Sequence, residues 1–158
     1  MGITDSYLTI LSESLDKKMA VLEELETINR QQSELIKSSR FDDEAYYELA
    51  EKKNERINDI NKMDEGFQLI YDKVKAELEA NRAAYAVQIK ELQAKISRIM
   101  EMSSHLQVEE KRNYEAVKSQ LRSMKEEVKQ SRKSQKTVAN YYKTMNYAAE
   151  PVFMDQKK

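Results

Sequence analysis

The stretch Ser38-Ser39-Arg40-Phe41-Asp42-Asp43-Glu44-Ala45-Tyr46-Tyr47-Glu48-Leu49 decides how this chain is read. Ser38 to Arg40 make a short polar break, and a helix start follows at once. Asp42 suits the N-cap because its carboxylate can accept from N–H groups that a first helical turn leaves unpaired. With Asp42 there, Phe41 and Tyr46 take the two positions that close a hydrophobic staple. Asp43 and Glu44 place negative charge at the positive end of the helix dipole. So short a connection between two helical patterns predicts an antiparallel hairpin.

Working back towards the N-terminus, apolar side chains recur at Tyr7, Leu8, Leu11, Leu15, Met19, Leu22, Leu25, Ile28, Leu35 and Ile36. A 3.6-residue period puts them on one face of a helix that should begin near Thr4 to Ser6. Asn29 and Gln32 interrupt that stripe, and polar residues there weaken packing while fixing register between helices. Beyond the break, Tyr46, Leu49, Ile57, Ile60 and Met63 carry the second helix, with Lys53 and Asn54 diluting the middle of its seam.

Gly66 then suggests a bend or tight break, after which a long third helix would carry the seam from Phe67 to about Gln130. At 1.5 Å per residue that helix would span about 95 Å against about 50 Å for the first. On this reading residues 103 to 130 are left uncovered by the hairpin. Something else would have to bury them: a fold-back near Ser103 and Ser104, a second copy, or a partner helix.

The expected fold is therefore all-α, an elongated antiparallel hairpin plus one long third helix in a three-helix bundle or coiled coil. The expected division is a helical domain over residues 1–130 and a basic linker with an apolar tail over 131–158. Within the tail, Val138, Tyr141, Tyr142 and Met145 share one face of a short amphipathic helix, which Pro151 must end.

Composition supports helices and argues against most chemistry. Of 158 residues two are Gly, one is Pro, none is Cys and 35% are charged. Lys plus Arg number 27 against 28 Asp plus Glu, finely mixed, so no general field draws nucleic acid or anionic lipid. The exception is Val128 to Ala149, which lacks acids and carries about +5 from Lys129, Arg132, Lys133, Lys136 and Lys143. No apolar run approaches the ~18 residues of a membrane span, so a soluble, cytoplasmic protein is expected.

No cofactor and no metal is expected: His105 is the single histidine, and two glycines cannot build a phosphate-binding loop. A chain with few loops offers little place for an active site, so the protein is expected not to be an enzyme. The nine tyrosines and eight methionines suit an adaptable surface for helical segments.

The pattern resembles the flagellar type III export chaperones of the FlgN class and the related FliT class. The resemblance lies in the hairpin beginning at Ser6-Tyr7-Leu8, in Glu51-Lys52-Lys53 to Ile60 followed by Asp64-Glu65-Gly66-Phe67, and in the long third helix. Leu106 to Glu115, with Arg112-Asn113, is similar to an Asn-containing helix of the family, and Ser134 to Tyr142 is similar to the ends of relatives.

The resemblance implies a small helical chaperone that keeps hook-associated or filament-cap subunits soluble for secretion, chiefly by binding the client's terminal helix. Carried onto this sequence, the client-binding residues would be Leu106, Tyr114, Val117, Leu121, Met124 and Val128, with Tyr141, Tyr142 and Met145. The competing expectation is a structural coiled-coil homodimer serving as a scaffold or adaptor.

Overall fold

A computed structural model describes residues 2–131, with the side chains of Val128, Gln130 and Ser131 left aside. The described residues form three α-helices and no strand: α1, Ile3–Lys37; α2, Asp43–Ala80; and α3, Ala86–Ser131. The expected all-α bundle is what the structure has. The short amphipathic helix expected around Val138 to Met145, like the whole tail, lies outside the described residues.

The break after α1 forms as the sequence predicts. The Asp42 carboxylate accepts from the Ala45 backbone N–H at 3.0 Å, and the Tyr46 N–H donates to the Asp42 carbonyl at 3.1 Å. Phe41 and Tyr46 close the staple with ring centroids 5.7 Å apart. At the other end of the break, Ile36 has one of the four carbonyls a helix terminus leaves without an intrahelical partner, and the Gln120 amide donates to it at 2.7 Å.

Gly66 is a correction. No break forms there, and α2 runs through it to Ala80. The chain turns instead at residues 81–85, where the Ala84 N–H donates to the Asn81 carbonyl and the Asn81 amide donates to the Glu77 carboxylate, both at 3.0 Å. Glycine's helical cost of about 1 kcal/mol is smaller than the burial of Val74 and Leu78, at roughly 1.5–3 kcal/mol each, that continuing α2 secures.

The described residues pack as two compact units, residues 2–24 with 56–104, and residues 25–55 with 105–131. In the first, Glu24 meets Arg56 and Lys18 meets Asp64, so α1 and α2 are antiparallel. Ser12 meets Glu91 and Asp16 meets Lys95, so α3 runs parallel to α1. The core of this unit is Leu8, Leu11, Leu15, Val21 and Leu22 from α1, Ile57, Ile60, Val74 and Leu78 from α2, and Leu92, Ile99 and Met102 from α3.

In the second unit Asn29 meets Asn113, Ile36 meets Gln120, and Lys53 meets Glu110, which gives the same parallel and antiparallel senses. Its apolar core is Leu25, Ile28, Ile36, Tyr46, Ala50, Leu106, Val117 and Leu121. The uncovered seam expected over residues 103–130 is therefore corrected over much of its length. Once the chain reverses at 81–85 rather than Gly66, α3 lies along α1 and α2, and Leu92, Ile99, Met102, Leu106, Val117 and Leu121 are enclosed.

Candidate functional site

The stripe of α3 in the second unit follows heptad-like spacing at Leu106, Glu110, Asn113, Val117 and Leu121, and all five side chains are buried. Of the predicted client-binding residues, Leu106 is 0% exposed, Val117 3% and Leu121 2%. They hold α3 in place and are not open to a partner in this arrangement. A third helix that starts at Phe67 leaves these residues beyond the hairpin, whereas the observed start at Ala86, about twenty residues later, sets them against α1 and α2.

Tyr114 and Met124 are half-buried and pack against the cluster of Ile36, Tyr46, Ala50, Val117 and Leu121. The Lys118 ammonium stands 5.0 Å from the centre of the Tyr114 ring, a cation–π arrangement on the open side of that residue. The side chain of Val128, and Tyr141, Tyr142 and Met145 entirely, lie outside the described residues.

Between Leu106 and Val117 the packing changes chemistry. The Lys53 ammonium donates to a Glu110 carboxylate oxygen at 2.8 Å, with both side chains almost wholly shielded. Burial pushes the Lys53 ammonium below the usual lysine value of 10.5, and the charge of Glu110 resists that shift. The Tyr46 hydroxyl is raised well above the usual tyrosine range, first by burial and then by Glu110. Asn113 donates to the Asn29 backbone carbonyl at 3.0 Å. The side-chain amides of Asn29 and Gln32, 2% and 0% exposed, have no protein partner on either their nitrogen or their oxygen.

The sequence marked Asn29, Gln32 and Lys53 as interruptions but did not bring them together, and it missed Glu110. The available signal was the 4-3-4 spacing from Leu106 through Glu110 and Asn113 to Val117, which sets two polar residues on the core side of α3. His105 is exposed, with Nδ1 3.6 Å from Glu109 and 3.9 Å from Glu26. Among the described residues no group of three or more His, Cys, Asp or Glu side chains is arranged to hold a metal ion, and no helix is long and apolar enough to cross a membrane.

A comparison with family models matches residues 1–148 of this chain to the family described as FlgN protein. The chain belongs to the FlgN family. Membership makes it a flagellar export chaperone of type III secretion, whose partners are proteins and whose class is not known for catalysis. No curated protein and no solved structure matches it.

Proposed function

We propose that this FlgN-family chaperone binds the terminal helix of a hook-associated subunit, at the filament junction or cap, through the C-terminal part of α3 and the residues after it. The client helix is sheltered in the cytoplasm by burial until the export machinery takes it, with no cofactor and no catalytic step.

The observation that carries this reading is where α3 stops relative to α1 in the second unit. Gln120 lies opposite Ile36, α1 ends at Lys37, and α3 continues to Ser131. Residues 122–131 thus continue α3 about 15 Å beyond the level of Ile36, in the last turn of α1. In the sequence, Met124 and Val128 continue the 4-3-4 apolar spacing that starts at Val117 and Leu121. Tyr114, Met124 and Val128, followed by Tyr141, Tyr142 and Met145, are the residues we assign to the client. In the closed arrangement Leu106, Val117 and Leu121 support them from the core.

Calorimetric titration against purified hook-associated subunits tests the assignment. The paired change Met124→Asp and Val128→Asp, and separately removal of residues 132–158, should each weaken binding at least tenfold, equivalent to about 1.4 kcal/mol. Circular dichroism should show the helices retained. Affinity unchanged in both variants would sink the assigned surface.

A further inference from the structure

The five buried polar or charged side chains of the described core are Asn29, Gln32, Lys53, Glu110 and Asn113, and every one belongs to the second unit. Four of their atoms, on the amides of Asn29 and Gln32, meet no protein partner. An amide in that position forfeits the hydrogen bonds it would make with water and recovers them when the packing parts. The Lys53–Glu110 pair behaves alike: its attraction is offset by the water both charges give up, and separation rehydrates both.

We propose that the second unit is built to open, with residues 105–131 of α3 parting from residues 25–55 of α1 and α2 while the first unit stays folded. The polar layer sits in the middle of the contact, between Leu106 on one side and Val117 and Leu121 on the other, so it divides one apolar seam into two short ones. The division between units falls at Ser104 and His105, and Ser103 with Ser104 are weak helix formers that let α3 pivot there. The opened α3 presents Leu106 and, beyond Glu110 and Asn113, the apolar run of Val117 and Leu121, with Tyr114 and Met124 packed beside it. A helical client takes that surface, and paired with it keeps the unit open. The use made of opening rests on the client-binding reading above; opening itself does not.

Hydrogen exchange on the full chain without client tests this. Backbone amides of residues 106–121 should be at least tenfold less protected than those of residues 92–102, because they exchange through a local opening and not global unfolding. Gln32→Leu removes two unpartnered polar atoms and should raise protection of residues 106–121 at least tenfold. The paired change Lys53→Met and Glu110→Leu, which replaces the ion pair with apolar volume, should act in the same direction should leucine crowd position 32. Equal protection in the two stretches, or protection of 106–121 that responds to neither variant, overturns the proposal. Either result leaves the titrations with Met124 and Val128 variants to stand or fall separately.

Discussion

In residues 1–24 and 56–104 the buried positions are filled by Leu, Ile, Val and Met, whereas in residues 25–55 and 105–131 five of them carry amide or charged groups. Ion pairs occur in both units but at different depths. Lys18–Asp64 and Lys95–Asp16 lie where water reaches, while Lys53–Glu110 is enclosed. An exposed pair contributes roughly 0–1 kcal/mol and can be lost cheaply. An enclosed pair contributes little net stability, yet its halves cannot be separated by mutation without a large penalty. The first unit is therefore a packing device, and the second holds its helices in one register while keeping their contact easy to undo.

The largest effect that can break this comparison comes from removing one half of each pair. Glu110→Ala strands the Lys53 ammonium in the core and should destabilise the protein by about 3–5 kcal/mol in a urea titration. Asp64→Ala, which only frees Lys18, should cost less than about 1 kcal/mol. Replacing both partners, Lys53→Met with Glu110→Leu, should be neutral or stabilising. Similar losses for Glu110→Ala and Asp64→Ala would mean the buried pair is solvated after all.

Proton linkage sharpens the same contrast. Lys53 titrates below 10.5 in the folded chain, so between that lowered value and 10.5 the unfolded chain binds more protons and stability climbs with pH. Lys95 in the first unit is shifted the other way, by its hydrogen bond to Asp16, so its contribution is complete below 10.5 and disappears as pH rises through its raised value. Tyr46 also opposes Lys53, since its raised hydroxyl makes stability fall as pH passes 10.0. Urea midpoints taken upward from about pH 8 should therefore rise towards pH 10 and then decline. Lys53→Met should remove the rise, and Tyr46→Phe should soften the decline. A rise that persists in Lys53→Met would assign it to another group.

Which of these features the sequence discloses depends on whether the cause is local. The Phe41, Asp42 and Tyr46 arrangement was readable because a cap and a staple are made by neighbours within a few residues. The turn at Asn81 to Tyr85 was not, for it contains neither Gly nor Pro, and its mark is a gap in the apolar stripe between Leu78 and Tyr85. Where α2 reverses is set by how far α1 can cover it, a tertiary matter. That one displacement left Leu106, Val117 and Leu121 on an open surface in the sequence reading, when they are enclosed. The polar layer was half legible: Asn29, Gln32 and Lys53 stand out within their helices, but Glu110 and Asn113 gain meaning only from the helix packed against them.

Gly66 supplies the smallest effect and the finest discrimination. It sits inside α2 in the first unit, and a Cβ placed there meets nothing within 4 Å. Gly66→Ala should therefore stabilise that unit by up to about 1 kcal/mol, since alanine loses less backbone freedom on entering a helix. If the second unit opens independently, this gain should slow amide exchange in residues 92–102 several-fold and leave residues 106–121 where they were. Equal slowing in both stretches would show that they unfold as one cooperative body. The contrast between an apolar unit and a polar one would then describe composition without any consequence for motion.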